Sequence, residues 1–323
     1  MLSTDLIFSI QSDSDFKKAA IEVFHFQKKN CKIYGDYVRL LKKENPSSVK
    51  DIPFLPIQFF KSHEVLSQPK TGNETLFLSS GTGMEGRSKH FVSDITIYEK
   101  SFSKAYNLLF GDVKNQVILA LLPNYLEQRN SSLVYMVNKL IKETKNDLSG
   151  FLLNDLKEVS KRYHDALLSG KEVVIFGVSY ALLDLAEQKI DLSKARIIET
   201  GGMKGRRKEL SKADLHHHIK SGLGVDYVSS EYGMTELLSQ AYSNKYSIFI
   251  TPPWMKILFS DVYDPLMIVS GESSSVINVI DLANINSCSF IQTQDLGRKL
   301  SEGFILDGRV DLSDVRGCNL MVE

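Results

Sequence analysis

The spacing of apolar residues changes several times along the chain, and each change predicts an element. From Phe16 to about Lys43, residues such as Ala19, Val23, Phe24, Tyr34, Val38 and Leu41 recur mostly at helical intervals, predicting one broken or two helices stopped by Asn45-Pro46. IPFLPIQFFKSHEVL, from Ile52, sets two prolines among aromatics and suits an extended segment laid on a surface. A short apolar run, ETLFLSS, then enters a glycine-rich loop at Gly81. Beyond it, QVILALLP from Gln116, EVVIFGV from Glu172 and ARIIETGG from Ala195 are continuous apolar runs that read as buried strands. Helical patterns fall after Ser93-Asp94 up to Phe110, from Ser131 to Lys142, from Asn154 to Leu168, in ALLDLAEQ, and in a polar stretch near Arg207 to Lys220. VDYVSS adds a strand, and a helix is expected to open near Gly233.

Strands alternating with helices imply an α/β protein with a doubly wound, mostly parallel sheet. Past Ser243 the helical period is lost, and YSIFI, WMKILFS, LMIVS, SVINVID, CSFIQT and GFILDGRV predict a mainly antiparallel, β-rich subdomain. The expected division is therefore 1–243 as the α/β region and 244–323 as the β-rich part. With 323 residues there is length for about two domains. Composition narrows the class: 43% hydrophobic and 24% charged residues exclude a disordered or fibrous chain. Thirty-nine basic residues balance 39 acidic ones, so no overall field favours nucleic acid or an anionic membrane, and any phosphate must be held locally. Cys31, Cys288 and Cys318 lack CxxC spacing, which speaks against a disulfide framework or zinc site. No basic leader and no apolar run of about 18 residues is present, so a cytoplasmic location without membrane insertion is expected.

Four segments carry candidate chemistry. In SSGTGMEGRSKH, Gly81, Gly83 and Gly86 let amides converge on an anion, Ser79, Ser80, Thr82 and Ser88 add hydroxyl donors, and Arg87 and Lys89 add charge. Arg87 stands where a Walker A loop has lysine, which argues against a P-loop NTPase; a plain glycine-serine hairpin is the alternative. In SSEYGMTELLSQAY, Tyr232 can stack on a base, Thr235 can donate to a phosphate and Glu236 can bind magnesium, although a glutamate in a first helical turn also serves as a cap. IETGGMKGRRKEL offers close backbone approach at Gly201 and Gly202 with Lys204, Arg206 and Arg207 nearby, or else a tight turn with a solvated basic face. TQDLGR, with Asp295, and LDGRVDLSDVRG, with Arg309 and Asp311, supply an aspartate able to grip ribose hydroxyls or to cap a turn. The run His216 to His218 does not suit a metal, because adjacent helical residues diverge. His63 reads as a satisfied core histidine, His164 as a surface residue, and Cys31 and Cys288 as packing.

In this order the four segments resemble the adenylate-forming superfamily of acyl- and aryl-CoA ligases, peptide-synthetase adenylation domains and luciferases. SSGTGMEGRSKH looks like its phosphate loop, YGMTE like its Y-G-x-T-E box, TQDLGR like its T-G-D-x-x-R box with Gln294 in place of glycine, and GRVDLSDVRG like its hinge segment. IPFLPIQFFKSHEVL, LPNYLEQRNSSLVYM, the short length and a cysteine near the C-terminus are similar to the LuxE-type acyl-protein synthetase branch, from about Ile52 to the end. The resemblance implies ATP-dependent activation of a fatty or other carboxylic acid as an acyl-adenylate and capture of the acyl group by the enzyme's own Cys318. It assigns Ser79, Ser80, Gly81, Thr82, Gly83 and Lys89, then Gly201, Gly202, Tyr232, Gly233, Asp295 and Arg309, to the nucleotide; Thr235 would meet the α-phosphate and Glu236 the magnesium. The superfamily's lid domain and its lysine are expected to be lacking, with Lys89, Lys204 or a partner taking that role. An acyl reductase, transferase or carrier protein is the implied partner. The alternatives are a ligase passing the acyl group to coenzyme A or a carrier thiol, with Cys318 structural, and a silent nucleotide-binding scaffold subunit.

Overall fold

The computed structural model describes residues 4–80, 86–124, 128–201 and 210–310. Gly81, Thr82, Gly83, Gly202, Lys204, Arg206, Arg207, Asp311 and Cys318 lie outside the described residues. Contacts group the chain into two compact units, Met1–Pro69 with Pro253–Glu323, and Lys70–Pro252.

The first unit opens with α1 (Thr4–Ile7), α2 (Asp13–Asn30) and α3 (Lys32–Leu40), then β1 (Leu55–Pro56) and α4 (Phe59–Ser62). The two expected helices are thus α2 and α3, broken at Cys31; Ser12 and Asp15 form a reciprocal capping box that starts the first of them. The second unit runs β2 (Thr75–Leu78), β3 (Lys89–Val92), α5 (Ile95–Phe110), β4 (Gln116–Leu121), α6 (Ser132–Thr144), β5 (Gly150–Phe151), α7 (Leu156–Leu168), β6 (Glu172–Val178), α8 (Ser179–Ala186), β7 (Ala195–Thr200), α9 (Lys212–Leu223), β8 (Val228–Tyr232), β9 (Ala241–Ser243) and β10 (Phe249–Ile250). The chain then returns to the first unit with β11 (Met255–Ser260), β12 (Ile268–Val269), β13 (Ser275–Asp281), β14 (Phe290–Lys299) and β15 (Phe304–Arg309). The sequence reading sets one boundary near Asn244, whereas α2 packs with the C-terminal strands: Gln27 bonds the carbonyls of Asn284 and Ile285.

In the second unit β5, β4, β6, β7 and β8 lie side by side in that order, all parallel, as the alternation of apolar runs and helices predicts. Every residue of β4 is buried, so both faces of the sheet are covered by helices. β9 and β10 continue the sheet antiparallel, and β2 and β3 form a separate hairpin. The helix expected at Gly233 is absent. Residues 233–240 are instead the loop of an antiparallel turn-back, because Glu231 pairs with Tyr242 and Tyr232 with Ala241; a turn bond from Leu237 to the Met234 carbonyl and burial of Leu237 and Leu238 hold it. Tertiary pairing there overrides local helical spacing.

In the first unit β12, β11, β13, β14 and β15 are neighbours in an antiparallel order, with β1 joining β14 in parallel. Its core is aromatic: Tyr34 stacks on Phe290 at 5.8 Å, and Phe24 and Phe54 meet the same ring edge-on. Cys31 and Cys288 are buried free thiols whose ionisation is opposed chiefly by burial, in keeping with packing roles. His63 is exposed rather than core, stacked on Phe59 and bonded to the Ser62 hydroxyl, while His164 is on the surface as expected. Among the described residues no helix is long and apolar enough to cross a membrane.

Candidate active site

Strands that end abreast in a parallel sheet leave a crevice beyond their carboxyl ends. In the Lys70–Pro252 unit the ends of β7 and β8, the hairpin β2–β3 and the start of α6 border a cleft of about 800 Å³. Of the residues singled out from the sequence, Ser80, Gly201, Gly233 and Thr235 line it, together with Arg87. Ser79 sits at the neck of the glycine loop and closes it: its amide donates to the Ser88 carbonyl at 3.1 Å and its hydroxyl accepts from the Ser88 amide at 2.9 Å. Arg87 Nε donates back to the Ser79 carbonyl, leaving an exposed guanidinium at the cleft. Lys89 is exposed on β3, paired in register with Leu78.

The Y-G-M-T-E segment is held from outside. His90 on β3, buried, bonds through Nδ1 to the Thr235 carbonyl at 2.8 Å, tying that loop to the hairpin. Tyr232 is buried with its ring 6.0 Å from Phe249, and Glu236 is also buried; the neighbouring Gly233 and Thr235 reach the cleft surface. The carboxylate that lines the cleft is Glu231, on the strand before them. Thr200 Oγ1 donates to Glu231 Oε2 at 2.7 Å. Burial first, and then the nearby Glu199, push the Glu231 carboxyl up to about 7, against the Thr200 bond and Lys212. Glu199, also buried, is held by the Ser179 hydroxyl and paired with Lys212.

Arg129, Asn130 and Ser131 add polar groups at the start of α6, whereas Leu78, Tyr98, Leu133 and Met136 make an apolar wall. One wall thus suits phosphate or carboxylate and the other hydrocarbon. Asp295 and Arg309 are brought to each other on β14 and β15 of the other unit, with Nε and Oδ1 3.0 Å apart. Among the described residues no group of three or more metal-ligating side chains forms, and His216 is half-buried beside Ser230 while His217 and His218 face solvent. Sequence reasoning missed Glu231, Gln240, Thr200 and His90. Glu231 sits among Ser229 and Ser230 in β8, VSSEY, so no local contrast marks it, and all four depend on which strands become neighbours.

No protein-family model matches the chain, and no curated protein sequence does. Solved structures do. A 2-hydroxyisobutyryl-CoA ligase in the postadenylation state, in complex with 2-HIB-AMP, superposes with a TM-score of 0.63 at 11% identity, over 93% of this chain and 68% of that one. A long-chain-fatty-acid-CoA ligase (FadD1) from Archaeoglobus fulgidus gives 0.53 at 12% identity, over 76% of this chain and 52% of that one. MatB from Rhodopseudomonas palustris, in its apo form, gives 0.52 at 17% identity, and this chain spans 48% of its length and is itself 76% covered. At such identities the likeness is one of fold, and this chain is similar in fold to adenylate-forming CoA ligases.

Proposed function

We propose that the chain activates a carboxylic acid with ATP and magnesium as an acyl-adenylate and then hands the acyl group to a thiol, Cys318. The observation that carries the reading is the cleft whose Arg87, Ser80 and Thr235 side suits phosphates and whose Leu78, Tyr98, Leu133 and Met136 side suits an acyl chain. The fold it shares with a ligase crystallised with an acyl-AMP supports it.

A carboxylate is a poor electrophile until it carries a leaving group. Its oxygen attacks the α-phosphorus, the new P–O bond forms, and the bond to the bridging oxygen breaks so that pyrophosphate departs with the electron pair. Negative charge grows on the equatorial oxygens, where the Thr235 hydroxyl and the Arg87 guanidinium donate. Ser80 and the glycine loop, Gly81 to Gly83, are assigned to the pyrophosphate. Magnesium takes oxygen ligands, mostly phosphate and water with one or two carboxylates; Glu236, next to Thr235 in the chain, is assigned to it, and the ion would neutralise charge on the phosphates. Gly201, Gly202 and Gly233 are assigned to the nucleoside. In the second step the Cys318 thiolate attacks the acyl carbon, AMP leaves, and the thiol proton passes to solvent.

The test is incubation with ATP, magnesium and labelled acids. Acid-dependent ATP–pyrophosphate exchange reads the first step, and protein label released by neutral hydroxylamine and abolished by Cys318→Ala reads the second. Exchange without protein label would move the acceptor to coenzyme A, a reading favoured by the CoA ligases that share the fold.

A further inference from the structure

Two guanidinium groups line the cleft, and they stand on different supports. Arg87 follows the glycine loop, and its Nε is already committed to the Ser79 carbonyl. Arg129 comes from the segment leading into α6, where the main chain is used in building the wall. The Asn130 carbonyl accepts from the Leu78 amide at 2.9 Å, the Gln128 carbonyl accepts from the Ser131 amide at 3.1 Å, and Ser131 Oγ caps the helix through the Val134 amide. The Arg129 side chain takes no part in this: it is exposed at the cleft and, among the described residues, makes no hydrogen bond or ion pair. Of the described residues that line the cleft only Glu231 is acidic, and it is bonded to Thr200. Water satisfies a guanidinium on an open surface. One anchored at a cleft wall beside hydrocarbon, with no carboxylate of the chain to meet it, is placed for an anion from outside.

The neighbours of Arg129 say which anion. Asn130 is tied to Leu78, and Leu133 and Met136 follow on α6, four and seven residues after Arg129. Arg129 thus borders the apolar wall, whereas Arg87 borders the glycine loop. We propose that Arg129 holds the carboxylate of the acid, its planar fork facing both oxygens, while the hydrocarbon lies along Leu78, Leu133 and Met136. This rests on the acid-activating reading of the cleft and adds a substrate-binding residue to it. A carboxylate approaching a triphosphate sets anion against anion, and a cation on each side reduces that repulsion. Once the carboxylate oxygen is bonded to phosphorus the acyl end carries no charge of its own. Arg129 therefore holds the free acid more tightly than the adenylate, and its contribution lies in binding the acid rather than in the chemical step.

The full chain is titrated by calorimetry with octanoate, butanoate and benzoate, each against its primary amide, and ATP–pyrophosphate exchange is measured with the same acids. The carboxylates should bind roughly 10- to 100-fold more tightly than the amides, the worth of a charge-assisted pair. Arg129→Gln should abolish that preference and raise KM for the acid by the same factor, with kcat and KM for ATP little changed. Arg129→Lys, which keeps the charge and loses the fork, should recover part of it. Arg129 is exposed, so both variants should keep the parent's Tm. Arg87→Gln should do the reverse, raising KM for ATP with the carboxylate preference intact. An Arg129→Gln protein that keeps the preference, or in which KM rises for ATP instead of the acid, overturns the proposal. So does a panel in which no carboxylate binds. A preference that vanishes with Arg129→Gln in a protein without exchange activity removes the proposed reaction and leaves this inference standing; exchange indifferent to Arg129 does the opposite.

Discussion

Two buried glutamines, one in each unit, show how differently the same side chain is used. Gln27 in the first unit has its whole amide engaged: Nε2 donates to the carbonyls of Asn284 and Ile285 and to Ser289 Oγ, and Oε1 accepts from the Ser289 amide at 2.9 Å. It stitches α2 to the chain some 260 residues later. Gln240 in the second unit is nearly as buried, but its Oε1 is unpaired beside a cleft. A satisfied buried amide ties distant segments together; an orphaned amide oxygen contributes no such tie and carries the desolvation cost of an unpaired acceptor. Asn278, also unpaired, is the exception in the first unit, and it lies where the β13–β14 register slips.

The comparison can be broken most directly at Gln27. Gln27→Leu leaves carbonyls and an amide buried without partners, and urea unfolding should show a loss of about 3–5 kcal/mol. A loss below about 1 kcal/mol would remove the contrast between the units.

Glu231 comes next. Its carboxyl is raised to about 7 in the folded chain from the ordinary value of 4.5, so the folded state holds a proton that the unfolded state has released. The associated stability is fully present below 4.5 and is lost as pH rises through 7, by about 1.4 kcal/mol per pH unit and about 3 kcal/mol in all. Glu231→Gln should flatten this fall relative to the parent in unfolding curves between pH 4 and 8; parallel curves would show that burial is not what governs Glu231.

At the cleft, Thr235→Val should lower kcat/KM for pyrophosphate exchange by ~10²-fold with little change in Tm, since it deletes one donor to developing charge. Unchanged kinetics would take Thr235 out of the reaction. Gly233→Ala should cost about 1–2 kcal/mol, because the new methyl displaces a Glu231 side chain pinned by Thr200, and pairing it with Thr200→Ala should recover part of that cost. Smallest of all, Gln240→Leu should leave stability within about 0.5 kcal/mol of the parent or raise it, the opposite of Gln27.

Much of this was legible before any fold was known. The β4, β6 and β7 runs declare themselves because a strand covered on both faces carries apolar residues in succession rather than in alternation, as in the VILAL stretch of β4. Asp94 caps α5 through the Thr96 amide and Gly111 ends it with φ +84°, both local signals. The loop after Tyr232 was read as a helix because its apolar residues are spaced like one, and nothing local reveals that β9 returns to pair with β8.

The amino-acid order alone settled the alternation of strands and helices and the motif segments Ser79 to His90 and Tyr232 to Glu236, since propensity, capping and glycine placement act over a few residues. Tertiary structure decided that α2 belongs with the C-terminal strands, that Glu231 and Gln240 border one patch beside Gly233, and that Tyr232 turns into the core. Burial and strand adjacency join residues far apart in the chain, and those two properties set both the charge of a carboxylate and whether an amide finds a partner.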